Sequence, residues 1–136
     1  MNTEEDRNAI EATITNYWAA LNASDVEGVL ALYTEDGVFI ATEGPTVVGK
    51  RLIRAAYEQI FDTIKPDIAF TMDEIVQIGN FAFARTFSMG EVTVLVGDLT
   101  LPEKHREYFV LEKTGDEWKI AQFLFNKMDP QRPVPM

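Results

Sequence analysis

The sequence predicts an α+β fold: one cone-shaped, curved sheet, antiparallel or mixed, with the N-terminal helices packed on its concave face. Apolar residues recur every three to four positions in the first half of the chain, which is typical of helices, and every second position afterwards, which is typical of strands. Short hairpin signals between the strands favour antiparallel neighbours. Because long strands twist and coil, helices across the mouth of such a sheet leave a conical cavity.

Two helices are predicted at the start of the chain. The apolar face of the first is formed by residues with helical spacing: Ile10, Ile14, Tyr17 and Leu21. The segment 24–27, Ser-Asp-Val-Glu, has the pattern of a capping box and predicts a short second helix that buries Tyr33. Gly37 is expected to end that segment.

A short strand and a third helix are expected next. Residues 38–41 are apolar enough for a strand, and the turn at 43–45 allows 46–48 to pair back onto it. The third helix is predicted to begin at Gly49, since the apolar positions that follow return to helical spacing. Pro66 is expected to stop it, because proline is incompatible with a helix interior.

Four strands are predicted in the second half of the chain. The first two alternate regularly and are joined by Gly79-Asn80, and the last two are joined by Gly115-Asp116. A looser stretch over 90–102 is expected between the two hairpins. The expected strand bounds are 68–78, 81–89, 104–113 and 118–126.

The last predicted strand is apolar on both faces. One face carries Trp118, Ile120 and Leu124, and the other carries Phe123 and Phe125. A sheet covered by helices on one side would show polar residues on the other. We therefore predict that the first stripe contacts a second copy of the chain, so that the protein is a homodimer through the outer face of its sheet.

Composition and charge exclude several classes of function. The 136 residues carry a net charge of -10, which argues against binding to nucleic acid or to anionic membranes. With no cysteine, one histidine and no phosphate loop or dinucleotide motif, we expect no metal and no cofactor. The acidic N-terminus and the lack of a long apolar run predict a cytoplasmic protein. We expect one domain over 1–128 and an extended or disordered tail over 129–136, which holds three prolines.

Several segments together resemble one family. They are YWAALNASD (17–25), LYTED (32–36), FAFART (81–86), YFVLEK (108–113) and WKIA (118–121). They are similar to the nuclear transport factor 2-like superfamily, in its SnoaL-like branch of small uncharacterised proteins and polyketide cyclases, which is related to ketosteroid isomerases. The resemblance covers about residues 5–128. It implies a cystatin-like, cone-shaped α+β barrel that is commonly a homodimer, but it does not fix the activity.

Ketosteroid isomerisation is the best-known chemistry of this superfamily, and it needs a general base and two hydrogen-bond donors to an oxyanion. The resemblance places Tyr17 at the position of the tyrosine donor and Glu107 near that of the acid donor. The base position is Ala41, so a true ketosteroid isomerase is not expected. The single histidine, His105, does not match the histidine–aspartate pair of the dehydratase branch, and we expect it to be solvated.

Arg85 and Glu107 are the charged residues most suggestive of chemistry, and Tyr17, Arg85 and Glu107 are the catalytic candidates. If the alternate row that contains Arg85 faces the cone, its guanidinium is buried and needs an anion. The family alignment turns Glu107 the same way. Two interpretations stay open: a structural buried ion pair, or a site where Arg85 binds a ligand carboxylate or enolate that Glu107 positions or protonates.

The cone is expected to have an apolar wall. Its candidate residues are Trp18, Leu21, Tyr57, Phe61, Phe87, Met89, Phe109, Phe123 and Phe125. With the polar candidates, they predict a protein that binds a small apolar molecule, polyketide- or steroid-like, as a cofactor-independent isomerase, cyclase or lyase. The alternative is a non-catalytic dimeric binding or assembly module whose cone is a filled core. A cavity inside the cone would distinguish the two.

Overall fold

The computed structural model describes residues 3–128 and has the predicted α+β architecture. The elements within these residues are α1 (Thr3–Asn22), α2 (Val26–Leu30), β1 (Tyr33–Ile40), β2 (Thr46–Val48), α3 (Lys50–Thr63), β3 (Ile64–Ile78), β4 (Phe81–Val94), β5 (Leu99–Thr114) and β6 (Glu117–Met128). The strands form one open, mixed sheet in the order β2-β1-β6-β5-β4-β3, in which only β1 and β6 run parallel. The tail expected over 129–136 lies outside the described residues.

Helix α1 packs on the sheet through its predicted apolar face. Ile10, Ile14 and Tyr17 are buried, and Leu21 is partly buried against the same core. At the end of the helix, the Asn22 side chain accepts from the backbone N–H of Ile68 at 2.9 Å and donates to its carbonyl at 2.8 Å. These two bonds fix the C-terminal end of α1 to β3.

The predicted second helix is shorter than expected. Its N-cap is Asp25, which accepts from the backbone N–H of Gly28 at 3.0 Å, one residue after Ser24, the N-cap of the predicted capping box. The helix ends at Leu30, and Tyr33 begins β1 instead of closing the helix, because its backbone pairs with Ile120 of β6. Tyr33 is nevertheless fully buried, as predicted.

The third helix ends before the residue that was expected to stop it. Helix α3 ends at Thr63, and Pro66 lies inside β3. Proline is tolerated there because β3 is an edge strand, where a missing N–H on the open side breaks no ladder bond.

The stretch over 90–102 continues a hairpin instead of interrupting it. Strand β4 extends to Val94 and β5 begins at Leu99, so the two pair over their whole length. Gly90 is required in this hairpin, since a Cβ there would come within 2.2 Å of the carbonyl oxygen of Asp67. Only a residue without a side chain permits this approach of β4 to β3.

The row of β4 that faces the helices is the opposite of the predicted one. Ala82, Ala84, Thr86 and Ser88 are buried, whereas Phe81, Arg85 and Met89 are exposed on the outer face. The prediction for Arg85 depends on its row, which includes the aromatic residues, facing the cone, but the inner positions of β4 are occupied by small side chains. This parity removes Arg85, Phe87 and Met89 from the interior of the cone.

A bulge explains why the last strand is apolar at both parities. Leu111 of β5 pairs with Ile120 and Val110 pairs with Gln122, so Ala121 is the extra residue of a β-bulge. Trp118 and Ile120 face the helices before the bulge, and Phe123 and Phe125 do so after it. The prediction that Trp118 and Ile120 lie on an outer interface is therefore wrong.

A buried carboxylate ties the first turn of α1 to three strands. Asp6 accepts hydrogen bonds from Nε1 of Trp118 at 3.1 Å, Nζ of Lys113 at 3.1 Å and Nε2 of Gln77 at 3.0 Å. These donors, the indole of Trp118 first, hold the pKa of Asp6 below its usual value of 3.8 despite burial.

None of the helices within residues 3–128 is long and apolar enough to cross a membrane.

Candidate functional site

A cavity of about 150 Å³ lies between the helices and the sheet. Of the predicted wall residues, Trp18, Leu21, Tyr57, Phe123 and Phe125 line it. The other apolar contributions come from β1, α3, β3 and β4: Phe39, Ile60, Ile64, Pro66, Ile68 and Val92. An apolar cavity of roughly this size in another protein stays dry and binds benzene, so this one can hold a single six-membered ring.

Three tyrosine hydroxyls form a buried chain beside the cavity. The Tyr57 hydroxyl is 2.6 Å from that of Tyr17 and 3.0 Å from that of Tyr33. All three side chains are buried, and burial is the main reason that their pKa values are raised. Three hydroxyl protons serve two hydrogen bonds. When Tyr33 donates to Tyr57 and Tyr57 donates to Tyr17, the Tyr17 hydroxyl can donate to an oxygen bound in the cavity.

Glu107 is a buried carboxyl group in the cavity wall. It is 2% exposed, and it accepts from the Thr86 hydroxyl at 2.7 Å and from the Ser88 hydroxyl. Burial raises its pKa above 4.5, while the two hydroxyl donors and nearby His105 oppose that shift. Burial is the largest cause of the raised pKa of Tyr17, and the charge of Glu107 contributes a smaller part.

His105 and Glu103 form a second polar pair on the same row of β5. Both line the cavity, and Nε2 of His105 is 3.0 Å from Oε1 of Glu103. The other oxygen of Glu103 is 3.2 Å from Nζ of Lys127, which extends to the surface. The hydrogen bond from His105, followed by that from Lys127, holds the pKa of Glu103 below its usual range. The expectation that His105 is solvated is wrong, because the residue is only 8% exposed.

The structure does not bring Arg85 and Glu107 together. The Arg85 side chain is 54% exposed on the outer face, where its guanidinium pairs with Glu74 at 2.9 Å. Both interpretations of an Arg85–Glu107 unit are therefore wrong, and the physical reason is the parity of β4. Phe87 and Met89 lie on the outer face with Arg85 and do not line the cavity.

Two other predicted wall residues lie behind the cavity. Phe109 is fully buried, with its ring 5.6 Å from that of Tyr17 and 4.6 Å from that of Phe123. Phe61 is partly buried and packs on Tyr57 at 6.0 Å. They support the wall residues without lining the cavity themselves.

Three residues at the site were not predicted from the sequence: Glu103, His105 and Tyr33. A signal for His105 and Glu103 was present, because both share the alternate row of Glu107, which was placed inward. For Tyr33, sequence gave no signal of its partners, since Tyr17 and Tyr57 are distant in the chain. The base position of ketosteroid isomerases, Ala41, follows the last residue of β1 and offers no carboxylate.

The cavity wall contains two carboxyl groups. The side chains that line the cavity include Glu103 and Glu107, and no lysine or arginine is among them. Arg85, expected to bind an anionic ligand, lies on the other face of the sheet. A ligand carboxylate would meet two acidic groups in a site of low polarity, so the geometry favours neutral ligands.

The stability of the protein should respond to the titration of Glu107. Because the folded state raises its pKa above 4.5, the folded protein keeps a proton that the unfolded chain releases. The free energy of unfolding should therefore fall as the pH rises from 4.5 through the raised pKa, relative to the Glu107→Gln variant. Urea unfolding of both proteins across this range measures the difference. A difference that is independent of pH, or that grows in favour of the wild type, would contradict the assignment.

Comparison with known proteins identifies relatives of the whole chain. The sequence profile of the SnoaL-like domain matches residues 14–123. A ketosteroid isomerase-like protein from Erwinia carotovora atroseptica is 32% identical, over 90% of this chain and 96% of that chain, with a TM-score of 0.87. A candidate aromatic ring hydroxylase from Novosphingobium aromaticivorans is 23% identical, over 96% and 94%, with a TM-score of 0.80.

A protein of lower sequence identity has the same fold. A candidate dehydratase of the nuclear transport factor 2-like family from Streptomyces avermitilis is 14% identical, over 93% of this chain and 99% of that chain, with a TM-score of 0.82. At this identity, as for the Novosphingobium protein, the likeness concerns the fold alone. No curated protein matches the chain at a significant level.

Proposed function

Because the chain belongs to the SnoaL-like domain family, we propose that it binds one small, neutral, ring-sized molecule in the cavity, as a cofactor-independent isomerase, cyclase or lyase. The observation that carries this proposal is the cavity of about 150 Å³, with an apolar wall and a few convergent polar groups. A cone filled with side chains, as a purely structural module requires, would leave no such space.

The size of the cavity narrows the ligand. Pockets for drug-sized molecules usually have volumes of about 300–1,000 Å³, so this cavity favours a single ring over a polycyclic steroid or polyketide. The apolar wall stabilises the ring by burial, and the ring's polar oxygen would be near Tyr17 and Glu107.

Two groups have suitable chemistry for proton transfer next to a carbonyl group. The Tyr17 hydroxyl can donate to the carbonyl oxygen and stabilise the negative charge that develops on it. Glu107 provides a buried carboxyl group with a raised pKa, which suits exchange of protons nearer to neutral pH. Ketosteroid isomerisation uses the same type of proton transfer, but its base would stand at Ala41, just after β1, whereas Glu107 lies on β5.

Binding of cyclohex-2-enone, measured by calorimetry, tests this proposal, with benzoate as an anion of the same ring size. The chain has no cysteine to react with the enone. We expect the enone to bind and benzoate to bind more weakly. Loss of one hydrogen bond in Tyr17→Phe should lower the enone affinity about three- to tenfold.

Arg85→Met is the matched control, since Arg85 lies outside the cavity and the variant should keep the wild-type affinity. Absence of enone binding, or equal binding of benzoate, would refute the proposed site. An affinity loss in Arg85→Met equal to that in Tyr17→Phe would refute the assignment of faces.

We also propose that two chains associate through the outer face of the sheet. With Trp118 and Ile120 buried, the apolar residues of this face form an outer patch of Phe81, Phe83, Phe87, Met89, Tyr108 and Leu124. Within it, the rings of Phe83 and Tyr108 are 5.8 Å apart, and Leu124 pairs with Tyr108 across β5 and β6. A contiguous apolar surface on a sheet is typical of an interface.

Sedimentation at micromolar concentration should therefore give about 31 kDa, twice the chain mass of 15.4 kDa. The double variant Tyr108→Glu, Leu124→Glu should be a folded monomer, because it would place unpaired negative charges inside the proposed interface. A wild-type protein that sediments as a monomer would refute the proposed dimer.

A further inference from the structure

We propose that His105 accepts a proton from the ligand at Nδ1, that Glu103 holds its tautomer, and that the ligand therefore carries the hydroxyl group of a phenol or enol. This inference rests on the proposed cavity and names the chemical class that the cavity recognises. It assigns a role to the single histidine of the chain.

Glu103 determines which nitrogen of His105 carries the hydrogen. Its Oε1 is 3.0 Å from Nε2, and its Oε2 is 3.2 Å from Nζ of Lys127. A carboxylate accepts hydrogen bonds and donates none, so Nε2 must be the protonated nitrogen of the neutral imidazole. The lone pair of that tautomer then lies on Nδ1.

Nδ1 is the nitrogen that remains for a ligand. No hydrogen bond to it is found within residues 3–128, while the side chain of His105 lines the cavity. The imidazole packs edge-on against Phe125, another wall residue, with ring centres 5.2 Å apart. The position of the ring is thus fixed by Phe125 on one side and by Glu103 at Nε2.

His105 is a better acceptor for a hydroxyl proton than Glu107, the other polar group nearby. Both oxygens of Glu107 already accept hydrogen bonds, one from Thr86 and one from Ser88. These two hydroxyl groups compete with a ligand for the oxygens of Glu107, whereas no hydrogen bond within residues 3–128 competes for Nδ1.

The proton transfer needs no co-reactant. The ligand O–H bond breaks, its electron pair stays on oxygen as a phenolate or enolate, and the proton forms an N–H bond at Nδ1. The imidazolium that forms keeps its contact with the Glu103 carboxylate at 3.0 Å, and it also attracts the carboxylate of Glu107. With an enol, the same proton can return to carbon, which forms a C–H bond and restores the carbonyl group.

A single imidazole makes the tautomer directly observable by ¹⁵N NMR of histidine-labelled protein. In alkaline buffer we expect the Nε2–H tautomer, and an Nδ1–H tautomer would overturn the proposal. In Glu103→Gln the carboxylate that selects the tautomer is gone, so the two tautomers should mix. A spectrum unchanged by Glu103→Gln would refute the positioning role of Glu103.

Phenol and anisole are the matched probes, since they share a ring but only phenol has a proton to donate. Phenol should move the Nδ1 resonance and anisole should not. His105→Phe keeps a ring against Phe125 and should lower the phenol affinity about tenfold, with little change for anisole. Phenol binding that leaves the imidazole resonances in place, or equal losses for both probes, would overturn the inference.

The two proposals fail in different ways. If cyclohex-2-enone and anisole bind but phenol does not move the imidazole resonances, the cavity proposal stands and the role of His105 is refuted. If none of the three ring compounds binds, the cavity proposal itself is refuted.

Discussion

Replacing Trp118 with alanine should lower the free energy of unfolding by about 3–5 kcal/mol. The indole is 3% exposed between the sheet and α1, and its Nε1 donates to Asp6. The substitution leaves a large void and removes a donor from a buried carboxylate. Urea unfolding monitored by circular dichroism measures the loss.

Leu124→Ala is the matched control, because the sequence put both residues on one stripe. Leu124 is 43% exposed on the outer face, so its truncation should change the unfolding free energy by about 0.5 kcal/mol or less in the dissociated chain. Should Trp118→Ala prove too unstable to purify, Trp118→Phe keeps most of the volume and should give a smaller loss. Similar, small losses in Trp118→Ala and Leu124→Ala would show that β6 has no bulge at Ala121.

Tyr57→Phe should be the most costly of the four tyrosine-to-phenylalanine substitutions. Tyr57 contributes the central group of the buried tyrosine chain, so its loss leaves the Tyr17 and Tyr33 hydroxyls without their partner. Each stranded buried hydroxyl should cost about 1–3 kcal/mol. Thermal or urea unfolding of the variant and the wild type gives the difference.

The order of effects among related variants is the sharper test. Tyr17→Phe and Tyr33→Phe each strand one hydrogen bond and keep the other, so each should cost less than Tyr57→Phe. Tyr108→Phe, on the exposed outer face, should be close to neutral. If Tyr57→Phe is no worse than Tyr108→Phe, the hydroxyl chain contributes nothing to stability.

The sequence was sufficient for the fold wherever local chemistry alone decides. Helical spacing predicted the buried face of α1, the pattern over 24–27 predicted the start of α2 to within one residue, and Gly79-Asn80 predicted the turn between β3 and β4. The position of Pro66 was misjudged, since whether a proline ends a helix or sits on a sheet edge depends on strand order. Strand order is a long-range property that no local pattern carries.

Face assignment is where the prediction failed. On β4 both rows contain apolar residues, and the inner row, Ala82 to Ser88, is the less hydrophobic of the two. Because the outer row is aromatic, hydrophobicity predicts the wrong row to be buried. Arg85 belongs to that row, so it was predicted to be buried as well. On β6 the bulge at Ala121 exchanges the inward and outward positions of the residues that follow it, and no residue type in this segment predicts a bulge.

The site was predicted only in part for the same reason. Of the predicted site residues, Tyr17, Glu107 and five of the apolar wall residues line the cavity. The hydrogen bonds among Tyr17, Tyr57 and Tyr33 depend on the contact of α1, α3 and β1. These residues are far apart in the chain, so local sequence patterns do not predict that contact. His105 could have been recovered, since it precedes Glu107 by two residues on one strand.

The bulge at Ala121 also divides β6 into two parts with different structural roles. The part before it, with Trp118 and Ile120, anchors α1 and has no contact with the cavity. The part after it, with Phe123 and Phe125, forms cavity wall. Substitutions in the second part can therefore reshape the cavity wall while α1 keeps its attachment to the sheet.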